Sequence, residues 1–217
     1  MGLILILALS AFGQSEEEMG IKGNRGNQMA GIRIGVHHFT ADKTNQFEDG
    51  FEVLAESDAS FVAEFYYNYF LLNQLGMELS LASAHRSDLV YTNAAEDIRL
   101  FGSANVYPIS LGVKFTPLSG LVSDHYQPFL SIGGSLVVTR QLFDTSYYSY
   151  YYDYATSSET DLGWYWGVGF ESYVSRTVCV TSSFKNYSIE YSDPIAGYKD
   201  HSGWQITVGA AYIMRSL

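Results

Sequence analysis

Three things are scarce in this sequence of 217 residues: cysteine, basic residues and long apolar runs. A single cysteine, Cys179, excludes an internal disulfide and a cysteine-based metal site. Twelve Lys and Arg against 23 Asp and Glu give a net charge of −11. This balance argues against a nucleic-acid partner, because a phosphate backbone is bound by basic clusters. No apolar run reaches the roughly 18 residues of a membrane-spanning helix, which excludes that class.

Motifs of catalysis and cofactor binding are also missing. The sequence has no glycine-rich phosphate loop, no HExxH zinc motif and no carboxylate pair at a diagnostic spacing. We therefore predict no enzymatic activity, no cofactor and no metal site. Charged residues make up only 16% of the chain, whereas aromatic residues also reach 16%, with 18 tyrosines. A soluble domain typically has about 25% charged residues, so this composition is unusual for one.

The first thirteen residues have the character of an export signal. An apolar run extends from Gly2 to Phe12, and the small residue Gly13 follows it, as at a cleavage site. No Lys or Arg precedes the run, which is atypical of such signals. We predict a signal peptide over 1–13, with a buried N-terminal strand or helix as the alternative, and a flexible, polar leader over 14–28.

The clearest pattern is a two-residue alternation near the C-terminus, over 203–213. Bulky or small apolar side chains alternate there with polar or tiny ones, so one face of a strand is apolar. Trp204 and Tyr212 bracket this face at about the spacing that a tilted strand needs to cross a bilayer. Similar alternation predicts eight strands in all: 29–39, 58–70, 74–86, 98–115, 127–140, 161–174, 177–191 and 203–213.

The predicted connectors alternate between short turns and long polar loops. The connectors after the second and sixth strands are two or three residues long, whereas 40–57 and 141–160 are long. Short turns at one end and long loops at the other are typical of membrane barrels. The prediction is therefore an all-β fold over 29–217, an eight-stranded antiparallel up-and-down transmembrane β-barrel with both termini at the short-turn end.

The less apolar faces of these strands carry charges of both signs in equal number. An eight-stranded barrel is too narrow for an open channel, so side chains fill it, and charges buried there need partners. We predict an interior charge network that is either structural or part of a gated path for an ion or solute. Its members are Arg33, Glu64, Glu78, Lys114, Glu171 and Lys185.

Aromatic residues are expected to mark both ends of the membrane span, because such rings favour the interface with lipid headgroups. At the long-loop end these are Trp164, Trp166 and Trp204. At the short-turn end they are Tyr67, Tyr69, Phe115, Phe129, Tyr173 and Tyr212. In the seventh strand the alternation is expected to slip near Asn186, as at a β-bulge.

One long loop has an unusual tyrosine content. Tyrosine offers a large, rigid contact area with a polar tip, which suits binding of sugars, lipids or proteins. The alternative is a hairpin extension whose rings pack on each other. The candidate binding residues are Tyr147, Tyr148, Tyr150, Tyr151, Tyr152 and Tyr154.

Three segments carry a resemblance to a known family: Gly-Ile-Arg-Ile-Gly-Val at 31–36, Tyr-Pro-Ile-Ser-Leu-Gly-Val-Lys-Phe at 107–115, and Gln-Pro-Phe-Leu-Ser-Ile-Gly-Gly at 127–134. With them the chain resembles small eight-stranded outer-membrane barrels, particularly the OmpW-like group and outer membrane protein β-barrel domains. The resemblance covers about 29–213.

This resemblance implies a bacterial outer-membrane location, with the leader in the periplasm. The implied partners are outer-membrane lipids, lipopolysaccharide and the outer-membrane assembly machinery. It also implies binding or passage of small molecules, hydrophobic ones among them, although it does not name the ligand. Two alternatives stay open. One is a structural or adhesive barrel that displays its tyrosine-rich and acidic loops, and the other is a secreted, lipocalin-like soluble binder.

Overall fold

The structure is a computed structural model that describes residues 24–40, 52–55, 58–93, 98–119, 126–144, 154–195 and 198–215. The predicted signal peptide over 1–13 lies outside these residues. Eleven strands occur in the described part: β1 (Gln28–Phe39), β2 (Glu52–Ala55), β3 (Ala59–Phe70), β4 (Leu75–Asn93), β5 (Ile98–Phe115), β6 (Tyr126–Asp144), β7 (Tyr154–Tyr173), β8 (Val178–Ser188), β9 (Glu190–Ile195), β10 (Tyr198–Asp200) and β11 (Gly203–Met214).

Eight of these strands form a closed antiparallel barrel. The order around the wall is β1, β3, β4, β5, β6, β7, β8 and β11. The barrel closes where the first and last strands pair, from Gln28 opposite Met214 to Phe39 opposite Gly203. Each strand of the wall lies next to its neighbour along the chain, which confirms the predicted up-and-down barrel. Among the described residues no helix is long and apolar enough to cross a membrane.

Four neighbouring strands are much longer than the other four. Strands β4 to β7 have 18 to 20 residues each, whereas β1, β3, β8 and β11 have 11 or 12. The shorter strands match the span of a bilayer, for which about 9–11 residues suffice. The longer ones continue beyond it at the long-loop end by roughly 20–25 Å, at about 3.3 Å per residue. One half of the wall therefore projects from the membrane.

The predicted long connectors contain three further short strands. Strand β2 lies in the predicted loop 40–57 and pairs with the projecting part of β4. Strands β9 and β10 pair with each other between β8 and β11. The alternation in these segments is too short to distinguish a strand from a polar loop in the sequence alone.

The two faces of the barrel wall have opposite polarity. Large apolar side chains point outward, and Ile32, Ile132 and Leu162 have 60%, 60% and 75% of their surface exposed. Charged and polar side chains point inward and are buried. A soluble lipocalin-like barrel would have its polar face outside, so that alternative is wrong.

Aromatic side chains form a cluster on the outer face at the long-loop end. Trp204 lies 5.0 Å from His38 and 6.5 Å from Phe184, measured between ring centroids, and Phe184 lies 5.7 Å from Trp166. Trp164 is also exposed on this face. The predicted position of the three tryptophans is therefore confirmed.

Two aromatic residues at the short-turn end do not belong to an outer belt. Tyr69, Phe115 and Tyr212 are exposed on the outer face as predicted, but Phe129 and Tyr173 are buried inside the barrel. The prediction was wrong for these two, because it used their position along the strand and ignored the face on which they lie. Both residues alternate in phase with the polar interior positions of β6 and β7.

The alternation of β8 does not slip near Asn186. Lys185 and Tyr187 are buried in β8, its pairing with both neighbours is continuous there, and Ile189 and Tyr191 continue the same two-residue spacing beyond its end. The sequence suggested a bulge because the interior itself changes from polar to apolar at this level. The predicted β-bulge was therefore wrong. The same face continues to point inward, and the side chains around it change from charged to mostly aromatic and aliphatic.

The N-terminal residues of the described chain close the short-turn end. Asn24 is buried and its side-chain amide donates to Ser119 Oγ at 3.2 Å and to Gln127 Oε1 at 2.8 Å, on the far side of the barrel. The backbone N–H of Gly26 also donates to the carbonyl of Phe70. Residues 24–28, predicted to belong to the flexible leader, are thus a fixed part of the barrel.

Glycines allow the first and last strands to approach closely. A Cβ atom on Gly35 would lie 1.9 Å from the carbonyl oxygen of Ile206, and one on Gly209 would lie 1.9 Å from that of Ile32. Because no real Cβ tolerates such a contact, the strand pairing that closes the barrel depends on the absence of these side chains.

We expect Gly209→Ala to destabilise the folded barrel by roughly 1–3 kcal/mol, the usual cost of overpacking. Gly134→Ala is the matched control, because the nearest atom to its added Cβ would be 4.0 Å away. The measurement is the urea midpoint of refolded protein in micelles, followed by heat-modifiable gel mobility. Equal midpoints for the two variants would contradict this account of the closing seam.

Candidate functional site in the barrel interior

All six charged residues predicted to line the interior do so, and none has a measurable exposed surface. They come from six different strands and point to the barrel axis. Their location is confirmed, whereas a role in ligand binding stays a prediction. With three positive and three negative side chains, the described set is electrically balanced.

Four of these side chains form a closed ring of ion pairs, here called the ion-pair ring. Arg33 lies 3.2 Å from Glu64 and 3.0 Å from Glu78. Lys185 lies 2.5 Å from Glu64 and 2.8 Å from Glu78. Each charge thus has two opposite neighbours. The ring joins β1, β3, β4 and β8 across the full width of the barrel.

The remaining pair, Lys114 with Glu171, lies closer to the short-turn end. Asn68 connects it with the ion-pair ring. In the orientation that satisfies both ends of its amide, Asn68 donates to Glu78 at 3.1 Å and accepts from Lys114 at 3.2 Å. The six charges therefore belong to one network in which each member fixes the position of the next.

Aromatic rings surround the cations of this network. The Arg33 guanidinium lies 3.6 Å from the ring centre of Tyr66, and the Lys114 ammonium lies 4.3 Å from that of Phe129. Ring faces attract cations, and more strongly where water is excluded. Tyr66 alternates in phase with Glu64, so the two-residue period places it in the interior, but the predicted network contained charged residues alone.

The network closes the barrel to a continuous water path at its level. A charge in a narrow interior is stable only when it is paired and hydrogen-bonded, and here the pairs occupy the space themselves. An open pore instead has exposed charges on its wall. The arrangement in the described residues is that of a filled barrel.

Above the ion-pair ring, toward the long-loop end, the interior contains an apolar cluster beside buried polar side chains such as His37, Arg86 and Thr139. A cluster of buried residues, here called the upper apolar layer, consists of Phe39, Val62, Ala82, Ala84, Val106, Val137, Tyr165, Tyr187, Ile189 and Tyr191. A second cluster on the other side of the ring includes Met29, Phe70 and Ile213. The ring is therefore enclosed between two apolar layers that keep water from it.

The segment between β8 and β11 folds across the barrel mouth over the upper apolar layer. The Tyr191 hydroxyl lies 2.6 Å from Thr139 Oγ1 on β6, and Tyr198 stacks 3.9 Å from the Arg86 guanidinium on β4. Strand β4 lies directly opposite β8 in the barrel order. Burial raises the pKa of Tyr191 to about 12, so its hydroxyl stays protonated at neutral pH.

The wall has a weak point beside the upper apolar layer. Pairing of β3 with β4 ends at Val62 opposite Ala84, although β4 continues to Asn93. On that edge of β4 the next described pairing is Ala55 of β2 with Val90. Both Val62 and Ala84 belong to the upper apolar layer, so the end of the ladder lies directly over it.

Other predicted site residues fall outside this interior. Five tyrosines of the tyrosine-rich loop, at 147, 148 and 150–152, lie outside the described residues, and Tyr154 begins β7. Most of the acidic first loop, 41–51, also lies outside them. In the part of the chain that the structure describes, no three His, Cys, Asp or Glu side chains cluster as metal ligands would.

A closed barrel with an apolar outer face, an aromatic cluster at its rim and buried charges inside is an integral membrane protein of the β-barrel class. The chain matches the family described as outer membrane protein beta-barrel domain over residues 2–213. It belongs to this family, and it is accordingly a bacterial outer-membrane protein in contact with outer-membrane lipid. Its short-turn end is therefore periplasmic and its long-loop end extracellular.

Solved outer-membrane barrels share the fold at low sequence identity. OprG from Pseudomonas aeruginosa is 15% identical, with a TM-score of 0.58 over 94% of this chain and 100% of that one. Neisserial surface protein A is 13% identical, with a TM-score of 0.56 over 86% and 96%. Ail, the attachment invasion locus protein of Yersinia pestis, is 14% identical, with 0.54 over 88% and 99%. Among curated proteins none matches this chain.

We expect Glu78→Gln to lower the free energy of unfolding by roughly 3–5 kcal/mol, because it leaves two buried cations facing one carboxylate. Combining it with Lys185→Met restores the balance, so the double variant should lose less than the sum of the two single losses. The measurement is urea unfolding in lipid vesicles. Glu159→Gln, at an exposed position, is the control. Additive losses would contradict the coupling within the ring.

Proposed function

We propose that the protein takes up small apolar molecules into the extracellular half of its interior and releases them sideways into the membrane, between β3 and β4. In this proposal the barrel does not conduct ions, and no molecule passes the ion-pair ring. The observation that carries the proposal is that the β3–β4 ladder ends at Val62 and Ala84, directly over the upper apolar layer.

The chemistry of the two halves supports a sideways path over a straight one. A molecule that passed along the axis would have to separate Arg33 and Lys185 from their carboxylates, which leaves buried charges unpaired at a cost of several kcal/mol. An apolar molecule in the upper layer contacts aliphatic side chains such as Val106 and Val137 and the ring faces of tyrosines, and it separates no ion pair of the ring. From there, only the barrel wall separates the molecule from the hydrocarbon of the membrane.

Entry requires the segment between β8 and β11 to move from the mouth, and release requires the wall to open, since the residues of the upper apolar layer are all buried. Opening is easiest where a ladder already ends, because fewer backbone hydrogen bonds must break there than within the uninterrupted β5–β6 ladder. We therefore assign the opening to the separation of Val62 from Ala84.

Purified protein in a planar bilayer should show no stable single-channel currents, because the ion-pair ring occupies the lumen. The measurement is current at ±100 mV with an open porin of known conductance as the control. Regular conductance steps that disappear when the Lys185→Met change is introduced would contradict the proposal, since they would assign an ion path to the ring itself.

A disulfide between the last paired residues of β3 and β4 should block uptake. In the Cys179→Ala background, Val62→Cys with Ala84→Cys places thiols at directly opposite positions, where Cβ atoms are about 4.5–5.5 Å apart. The matched control is Ser110→Cys with Ser135→Cys, also directly opposite and facing inward, but within the β5–β6 ladder. The probe is N-phenyl-1-naphthylamine, whose fluorescence reports entry into the membranes of expressing cells.

The expected result is faster probe entry with the parent protein than with empty vector, loss of this gain on oxidation of the first pair, and recovery on reduction. Oxidation of the control pair should change nothing. If the first disulfide leaves entry unchanged, or if the parent protein gives no gain, the sideways path is wrong. The projecting strands β4 to β7 would then be better explained by the alternative function, display of a binding surface.

A further inference from the structure

The periplasmic half of the outer wall contains a recess that the interior does not explain. It has a volume of about 420 Å³ and is lined by Ala30, Gly31, Ile32, Phe65 and Ala210. Its lining is mostly apolar, and it opens outward on the face formed by β11, β1 and β3. The recess is shallow and open along its outer side, so an occupant would contact the wall on one side and lipid on the other.

The pairing of these three strands explains why the recess exists. Ala30 lies directly between Tyr67 and Tyr212, so a methyl group separates two large rings. In the next outward row, Ile32 lies between Phe65 and Ala210. The two alanines are therefore diagonal neighbours among bulky side chains, and the wall is thinner where they meet.

Polar groups surround the periplasmic end of the recess. The Tyr67 hydroxyl donates to Gln28 Oε1 at 2.8 Å, at the first residue of β1. Tyr212 is 57% exposed on the other side. Tyrosines with an apolar body and a polar tip favour the level of the lipid headgroups. The recess thus begins at the headgroups and extends toward the acyl chains.

The described residues of the rim below the recess carry only positive charges, although the whole chain has a net charge of −11. Arg25 and Arg215 are exposed there, next to the paired ends Gln28 and Met214. Arg176 lies on the adjoining turn. That turn is held against the end of β11 by a hydrogen bond from the backbone N–H of Ile213 to the carbonyl of Thr177. The described rim residues, 24–28, 71–74, 116–119, 174–177 and 214–215, include three arginines and no acid.

From these observations we infer a binding site for one anionic phospholipid of the periplasmic leaflet. One acyl chain lies in the recess against Ala30 and Ala210, and the phosphate lies at the level of Arg25 and Arg215. Charge complementarity favours this occupant over a second copy of the chain, because two such rims would bring arginines together. The site uses the outer wall alone, so it is independent of the proposed uptake path.

The test is native mass spectrometry of the full chain, extracted with mild detergent from vesicles with equal amounts of phosphatidylglycerol and phosphatidylcholine. The parent protein should retain phosphatidylglycerol in preference. Arg25→Gln and Arg215→Gln should each lower this preference about fivefold, from the attraction of a basic residue to an anionic membrane surface. Arg140→Gln, an exposed arginine at the extracellular end, is the matched control and should leave the preference unchanged.

A second variant tests the recess itself. Ala210→Leu fills it and should reduce retention of both lipids, whereas Ser182→Leu, on the outer face of β8, should not. Both changes place an apolar side chain toward lipid, so both variants should fold. If either variant fails to fold, the arginine variants still test the site. Equal retention of the two lipids by the parent protein would overturn the inference. So would a dimer that Ala210→Leu abolishes, since the recess would then hold a second copy.

Discussion

The ion-pair ring is the constraint on which the rest of the structure depends. Arg33, Lys185, Glu64 and Glu78 each lie between two opposite charges, so removal of any one leaves a buried charge without its full set of partners. The cost of such a charge holds the four strands that carry them in a single register. A one-residue slip would turn every interior side chain to the lipid.

The surroundings of the ring follow from the same requirement. Apolar side chains lie on both sides of it along the axis, and they exclude water that would otherwise weaken the pairs. Both mouths are covered by chain that crosses the barrel. Asn24 reaches the β5–β6 side at the periplasmic end, and Tyr198 reaches Arg86 at the extracellular end. The lumen is thus a packed core, and the features that suit binding lie above it and outside it.

The strands and the interior charges could be predicted from the sequence because both follow from local alternation. Each barrel strand has one apolar and one small or polar face, and the charges lie on the second face. The errors have two origins. Phe129 and Tyr173 were predicted from their position along the strand without regard to the face on which they lie. The slip after Lys185 was predicted from hydrophobicity, but an interior that contains both polar and apolar side chains accepts either kind on the same face. Whether an inward position requires a polar or an apolar side chain depends on the side chains that the opposite wall places next to it.

The sequence by itself determined the class of protein, the number of membrane strands, the phase of most of them and six of the seven buried Lys, Arg and Glu side chains among the described residues. A period of two residues fixes all of these within a strand, without knowledge of its neighbours. Only the tertiary structure decided which charges pair, where the β3–β4 ladder ends, and that Ala30 and Ala210 meet in one recess. These features arise between residues that are far apart along the chain, and the closure of the barrel brings them together.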